Sequence, residues 1–482
     1  MFPNAGPDIH ALRRIVVATG IAVAVLALVI GVWAQLQIYA DGSIFAYSIA
    51  VQDAWAYHWH NISGRIFVYL FFFVPAEAVV ALTGNASAGV ATYGVLHFGA
   101  PGLGLLATFV ADQSRTRMFF AFACLATAGL NPLVFGFPTE MWAAHALFWP
   151  ALAICHRRGQ GLRGFAMVVA ALLSLMLTHE GALVLALVIL GTVFMEGWRA
   201  AAPRRVGAAF LIALAGWGMV KAAIRPDDYF AAIIASAALD FIDPKGLGSR
   251  IFLVLGGAIA AYLAIVAAFR LTRAPRAELF AALIVAAELA IYWFGSDGAV
   301  HASERYPART ALLIMVPILA GLSAGLARVA EDGLRLPASF PPGILAWVAS
   351  PALARLVIGA YSLILLVHAV ETVKFVDAWV DYKGAVRALA MGDAADPELG
   401  DPHFVSSSRI QDDLNRLSWM STTPYLSVLV APGLAPRRLV VDPARDNYFW
   451  LSCETAKASE HTGRAVPLES RQLVRVYACL HR

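Results

Sequence analysis

The sequence predicts a polytopic α-helical membrane protein with about 11 or 12 transmembrane helices. Of its 482 residues, 60% are hydrophobic and 14% are charged, whereas soluble domains average roughly 45 to 50% apolar and 25% charged residues. Apolar segments of spanning length, about 17 to 25 residues, recur along most of the chain. This composition excludes a collagen, a disordered chain, a disulfide scaffold and a nucleic-acid-binding protein.

The first predicted helix starts after a pair of arginines. Arg13 and Arg14 precede an apolar run from Ile15 to about Gln37, which is longer than the roughly 7 to 15 residues of a signal-peptide core. The run also lacks a convincing small-residue cleavage site. We therefore expect a retained first helix with its N-terminus in the cytoplasm.

Arginine clusters between the later apolar runs predict their orientation. The clusters belong in the cytoplasm by the positive-inside rule, and from Arg157 onward they alternate with arginine-poor loops. The later runs lie near 66–83, 88–111, 118–130, 141–155, 164–178, 182–198, 206–224, 251–269, 277–294, 309–327 and 352–374. The clusters contain Arg115 and Arg117; Arg157, Arg158 and Arg163; Arg199, Arg204 and Arg205; Arg270, Arg273 and Arg276; and Arg328 and Arg335.

One early run must be non-crossing for this alternation to hold throughout. The run 66–83 is the better candidate because Pro75 and Glu77 interrupt it. We predict that it lies in the interface or re-enters, as part of a long first external loop from about 38 to 87. The alternative is that 118–155 holds a different number of crossings.

With this topology, many acids fall on the non-cytoplasmic side. They are Asp41, Asp53, Glu77, Glu140, Glu180, Asp227, Asp228, Asp240, Asp243, Asp297 and Glu304. Several are expected to be ordinary solvated loop residues. Those at helix ends in apolar surroundings are better candidates for function, because ionisable groups close to hydrocarbon cost free energy.

The first external loop holds two catalytic candidates and two substrate-binding candidates. Asp41 directly follows the first apolar run, although a helix-ending Asp-Gly turn would also explain it. Asp53, His58 and Arg65 lie among tryptophan and tyrosine residues. Interfacial anchoring accounts for those aromatic residues, but not for the acid, the imidazole or the guanidinium, and a guanidinium is suited to a phosphate.

Further candidates for substrate binding lie at later helix ends on the same side. Glu140 opens the run 141–155, where capping of the helix dipole would also explain an acid. His179 and Glu180 occupy a tight turn between two short apolar runs. The late group Arg305, Tyr306 and Arg309 places cations on an acidic face, which suggests an anion such as a lipid-linked phosphate; pairing with Asp297 or Glu304 is the alternative. Lys221 and Arg225 are placed to assist.

These residue types match one reaction class. A transferase with a lipid-phosphate sugar donor needs a carboxylate to deprotonate the acceptor hydroxyl and a cation to stabilise the departing phosphate. The chain contains no hydrolase triad spacing, P-loop, Rossmann fingerprint or H-E-x-x-H motif.

The chain resembles the GT-C superfamily of integral membrane glycosyltransferases. The resemblance covers the membrane region and rests on Asp41 after the first helix, Asp53 in a long first external loop, Glu140 before a later helix, and the late pair Arg305 and Tyr306. It implies inverting transfer of a sugar from a polyprenyl-phosphate donor to a cell-envelope glycan or lipid acceptor. Asp41 would be the base, at the periplasmic face of a bacterial inner membrane. Asp41-Gly42 is not the paired-acid form of some members, which leaves a requirement for a divalent cation open.

Two other function classes compete with this expectation. A multi-span transporter or lipid-linked glycan flippase would be expected to show internal repeats and broken helices, and no such repeat is evident in the sequence. A non-catalytic scaffold would use the acids only as surface groups.

The chain divides into a membrane domain, 1–375, and a polar C-terminal region, 376–482. Trp379 to Leu389 has a helical pattern, and short strands are predicted at Tyr425 to Val430, Arg438 to Val441, Tyr448 to Cys453 and Gln472 to Cys479. We expect a small extracytoplasmic α+β domain that acts as a cap or contributes to acceptor recognition. Cys453 and Cys479 could form a disulfide there.

Overall fold

The structure is a bundle of apolar helices followed by a small C-terminal segment. The computed structural model describes residues 7–51, 64–130, 140–157, 161–195, 201–224, 250–295, 317–329, 331, 350–392, 404–419 and 422–441. Within these ranges, seven helices are long and apolar enough to cross a membrane, and five more apolar helices are shorter. The chain is thus a polytopic helical membrane protein, as the composition predicted.

The helices are numbered here in chain order. They are α1 (Pro7–Trp33), α2 (Asp41–Val51), α3 (Ile66–Thr83), α4 (Ala86–Ala111), α5 (Met118–Leu130), α6 (Met141–Cys155), α7 (Leu162–Met176), α8 (Ala182–Phe194), α9 (Ala201–Ala223), α10 (Arg250–Leu271), α11 (Ala277–Gly295), α12 (Pro317–Val329), α13 (Pro351–Met391), α14 (Asp412–Asn415) and α15 (Thr423–Val430). Those of spanning length are α1, α3, α4, α9, α10, α11 and α13.

At one end of the bundle, called the arginine end, several arginine side chains donate hydrogen bonds to backbone carbonyls at or near the ends of helices. Arg157, after α6, donates from Nε to the carbonyl of Ala111 at the end of α4, over 2.9 Å. Arg205, near the start of α9, donates to the carbonyl of Arg157 over 3.3 Å. Arg117, before α5, donates to the carbonyl of Phe109. Lysine and arginine side chains are favourable partners for the free carbonyls of helix C-termini.

The opposite termini of the same helices form the acidic end of the bundle. Glu140 precedes α6, Glu180 lies in the turn between α7 and α8, and Lys221 is in the last turn of α9. The helices from α4 to α9 thus run alternately between the two ends, as the arginine pattern required. Which end faces the cytoplasm stays a prediction based on the positive-inside rule.

Helix α3 corresponds to the run predicted not to cross. It has a π-helical turn at Tyr69–Phe73, next to Pro75, which has no N–H to continue the regular hydrogen-bond ladder. It packs on the first half of α4, where the ring of Phe73 lies 5.5 Å from that of Tyr93, and on α2, where the same ring lies 5.1 Å from that of Phe45. Because α3 is long and apolar enough to span, its non-crossing placement stays a prediction.

The C-terminal segment extends from the longest helix. Helix α13 has 41 residues, so the predicted helix Trp379–Leu389 is confirmed as its final part, and the boundary placed at residue 375 falls inside this helix. A parallel two-stranded sheet pairs β1 (Phe404–Ser406) with β2 (Leu439–Val441), which confirms the predicted strand at 438–441. The predicted strands at 448–453 and 472–479, with Cys453 and Cys479, lie outside the described residues.

The strand predicted from Tyr425 to Val430 is wrong, because this stretch forms helix α15. Its aromatic and β-branched residues favour strands, but Pro424 lies in the first helical turn, where proline is well tolerated. The backbone N–H of Leu426 then donates to the carbonyl of Thr422 over 3.1 Å. Tyr425 and Leu426 are buried, and the Tyr425 ring lies 5.0 Å from that of Tyr47 in α2. This packing against a distant part of the chain outweighs the local preference.

Candidate functional site

Four charged side chains form a connected network at the acidic end. Arg65 donates from Nη1 to Glu140 Oε1 at 3.0 Å, and from Nε and Nη2 to Glu180 Oε2 at 3.2 and 2.9 Å. Lys221 Nζ lies 2.7 Å from Glu180 Oε1. The network therefore joins Glu140, Glu180 and Arg65, which were predicted to bind the substrate, with Lys221, which was predicted to assist.

Arg65 is buried, the other three side chains are partly buried, and each charge is compensated by a partner. The Arg65 side chain is 9% exposed, and those of Glu140 and Glu180 are 15% and 17% exposed. Burial acts to raise the pKa of Glu180, but Arg65, His179 and Lys221 hold that pKa below its ordinary value of 4.5. Burial acts to lower the pKa of Arg65, yet Glu180 and Glu140 keep it above its ordinary value. Both groups are consequently ionised at neutral pH.

Local sequence explains why each member sits at a helix end. Glu140 is next to the N-terminus of α6, where the helix dipole favours an anion, and Lys221 is in the last turn of α9, where it favours a cation. The turn that carries Glu180 is closed by His179, whose Nδ1 accepts from the backbone N–H of Gly181 over 3.0 Å. Arg65 directly precedes α3.

Glu140 also lines an aromatic cleft between α2, α3, α4 and α6. The lining residues are Phe45, Val68, Phe72, Phe73, Tyr93, His97, Glu140 and Ala143. Apolar and aromatic walls with a few polar groups are typical of small-molecule binding sites.

Asp41 approaches this cleft from α2. It is the first residue of that helix, and Phe45, one turn later, lines the cleft. Residues four positions apart lie on the same helix face, so Asp41 lies on the cleft side of α2.

The structure thus brings together five of the residues singled out in the sequence. Asp41, Arg65, Glu140, His179 and Glu180 all lie at the acidic end, with Lys221 beside them. The other predicted site residues, Asp53, His58, Arg305, Tyr306 and Arg309, lie outside the described residues, as does Arg225.

Tyr93 and His97 were not among the residues predicted to form the site. Both lie inside the apolar run that forms α4, four positions apart on one face, and both line the cleft. The sequence did contain a signal for them: a tyrosine and a histidine four residues apart in an otherwise apolar run lie on one helix face and carry polar groups there.

The described part of the chain contains no group of three histidine, cysteine, aspartate or glutamate side chains close enough to hold a metal ion. Asp41 and Glu140 come from different helices, and Glu140 is neutralised by Arg65.

The chain matches no protein-family model, no curated protein and no solved structure.

Proposed function

We propose that this protein is a membrane glycosyltransferase. It transfers a sugar from a polyprenyl-phosphate donor to a glycan or lipid acceptor of the cell envelope, at the acidic end of the bundle. The observation that carries the proposal is that Glu140 lines an aromatic cleft and that Asp41 begins the helix whose Phe45 lines the same cleft. A site with carboxylates, nearby cations and aromatic walls suits a sugar linked through a phosphate to a lipid.

Asp41 is assigned the role of general base. It accepts the proton of the acceptor hydroxyl while that oxygen forms a bond to the anomeric carbon. The bond from the anomeric carbon to the phosphate oxygen breaks on the opposite face, so the sugar inverts and polyprenyl phosphate leaves with the bonding electrons. Asp41 is partly exposed, whereas Glu140 is held by Arg65 and is assigned to binding.

The cations have different roles in this proposal. Arg65 donates from Nη1 to Glu140 and from Nε and Nη2 to Glu180, so we assign it to fixing these carboxylates rather than to the phosphate. Lys221 has three N–H donors, and its bond to Glu180 uses one of them. It is therefore the described cation best suited to stabilise the negative charge that develops on the leaving phosphate.

The test is transfer by the purified protein in liposomes, supplied with polyprenyl phosphates that carry radiolabelled hexoses or pentoses and with envelope lipid extract as acceptor. Asp41→Asn should lower the turnover roughly 10²- to 10⁴-fold without changing the thermal unfolding temperature. Asp413→Asn, at a side chain that is 87% exposed, is the matched control and should transfer normally. Unchanged product formation by Asp41→Asn would remove Asp41 from the mechanism.

A transporter or lipid-linked glycan flippase is the second candidate. Networks of ionisable side chains inside a helical bundle also occur on the substrate and ion pathways of transporters. The ion pairs that connect Lys221, Glu180, Arg65 and Glu140 form such a network. Proteoliposomes without acceptor distinguish the two. Movement of a labelled lipid-linked sugar across the bilayer, abolished by Glu180→Gln and with no covalent product, would favour transport.

A further inference from the structure

The turn between α1 and α2 has an unusual backbone. Gln35 and Ala40 have φ values of 57° and 50°, in the left-handed region that residues other than glycine seldom adopt. A 3₁₀ turn, Leu36–Ile38, lies between them, and all three of its residues are buried. Asp41 follows Ala40 directly, so the orientation of Asp41 at the start of α2 depends on this turn.

Helix α13 holds the turn from a distant part of the sequence. Trp379 Nε1 donates to the carbonyl of Ala34 over 2.9 Å. Lys383 Nζ, one helical turn later, donates to the same carbonyl over 3.2 Å and to Gln35 Oε1 over 2.9 Å. These donors satisfy the free carbonyl at the end of α1 and fix the first left-handed residue of the turn.

The second half of the turn is fixed by packing. The ring of Tyr39 lies edge-on to those of Phe375 and Trp379, with centroids 5.2 and 5.1 Å away. The carbonyl of Tyr39 then accepts from the N–H of Gly42 at 3.0 Å. A rigid connection therefore runs from Trp379 through Tyr39 to the first turn of α2, where Asp41 lies.

We infer that Trp379 and Lys383 are positioning residues for Asp41: they hold the strained turn that presents the carboxylate to the cleft. This inference rests on the proposed function, because it assigns the turn a role in the reaction of Asp41. Left-handed residues that are not glycine persist where the surrounding structure enforces them, and they concentrate at functional sites.

Lys383→Met is the main test, because Lys383 is only partly buried and methionine keeps most of its apolar stem. We expect kcat for sugar transfer to fall on the order of ten- to a hundredfold, the range for a displaced catalytic group, with KM for the donor unchanged. Lys383→Arg should restore most of the rate. Arg387→Met is the matched control, since Arg387 is exposed one turn further along α13, and it should be silent.

Hydrogen exchange of residues 35–43 supplies a readout that does not need activity. The amides of Ile38, Tyr39, Gly42 and Ser43 are hydrogen-bonded within the turn, and they should exchange faster in Lys383→Met but not in Arg387→Met. Unchanged exchange would show that Lys383 does not hold the turn. Faster exchange with a normal kcat would show that the turn does not position Asp41.

If the proposed function is wrong, the transfer assay gives a different result from those just described. The wild-type protein would then show no transfer with any donor of the panel, and the positioning role in catalysis would fall with it. Trp379→Phe, which removes the indole N–H and keeps a ring, is a second variant. Its unfolding temperature reports whether the buried site tolerates the change, and a folded variant with normal exchange and rate would also contradict the inference.

Discussion

Arg65 connects the two acids that the sequence placed 40 residues apart. Its removal would leave Glu140 without this cation and Glu180 with Lys221 as its partner, and removing one member of a buried ion pair typically costs about 3 to 5 kcal/mol. For Arg65→Met we expect a loss of about 3 kcal/mol in the free energy of unfolding, the lower end of that range, because the carboxylates are 15% and 17% exposed.

Denaturant titration in detergent measures this loss. Arg163→Met is the control, because Arg163 is exposed near the start of α7, where substitutions usually change stability by less than about 0.5 kcal/mol. An Arg65→Met protein as stable as this control would contradict the view that the network stabilises the acidic end.

Glu180 makes the stability of the protein depend on pH. Because partners in the folded state hold its pKa below the ordinary value of 4.5, its ionised form stabilises the fold above that pH. This contribution is lost as the pH falls below 4.5 toward the folded-state pKa. We expect the stability difference between wild type and Glu180→Gln to be constant from about pH 7 to 5 and to shrink at lower pH. A difference that did not change with pH would contradict ionic pairing of Glu180.

At the scale of helices, glycine allows the close contact that places Glu140. A Cβ on Gly104 of α4 would lie 2.5 Å from the carbonyl oxygen of Ala146 in α6, and Glu140 precedes α6. We expect Gly104→Ala to push the two helices apart, to lower the free energy of unfolding by about 1 to 3 kcal/mol, and to reduce transfer.

Gly102 provides the control on the same helix. A Cβ there meets no atom within 4 Å, and alanine has the higher helix propensity. Gly102→Ala should therefore be neutral or slightly stabilising when the thermal unfolding of both variants is measured. Equal effects at the two glycines would show that the contact between α4 and α6 does not limit stability.

The left-handed residues Gln35 and Ala40 in the turn before α2 are predicted to lower the free energy of unfolding. Glycine adopts the left-handed conformation without steric penalty, whereas other residues pay roughly 1 to 2 kcal/mol. Gln35→Gly and Ala40→Gly should each raise the unfolding temperature, although Gln35→Gly also loses the bond from Lys383 and should gain less. Ala388→Gly, at an exposed position within α13, should lower it by helix propensity. If Ala40→Gly destabilised the protein as Ala388→Gly does, the turn would not be strained.

At the scale of the whole molecule, the two ends of the bundle should face opposite compartments. Leu82, in the last turn of α3, is 86% exposed, and Leu162, at the start of α7, is 84% exposed. In a variant with the four native cysteines replaced, Leu162→Cys should react with a membrane-impermeant thiol reagent from the cytoplasmic side. Leu82→Cys should react from the other side, and labelling of both from one side would contradict the topology.

Much of this architecture was predictable from the order of residues. Apolar run length is a local property, so helices α4 to α8 fall within a few residues of the predicted runs. The clusters that contain Arg117, Arg157 and Arg205 marked one end of the bundle for the same reason. The stretch 425–430 was not predictable, because its strand propensity is overridden by Pro424 and by burial among residues from elsewhere in the chain.

Hydrophobicity and charge act within a single segment, so the order of residues was enough to predict a helical membrane protein and to place Asp41, Glu140 and Glu180 at helix ends. The pairing of Arg65 with Glu180, 115 positions away, and the bond from Trp379 to the carbonyl of Ala34, 345 positions away, emerged only from the packed fold. Such pairings depend on which helices pack together, and packing is decided by shape and by the need to compensate every buried charge.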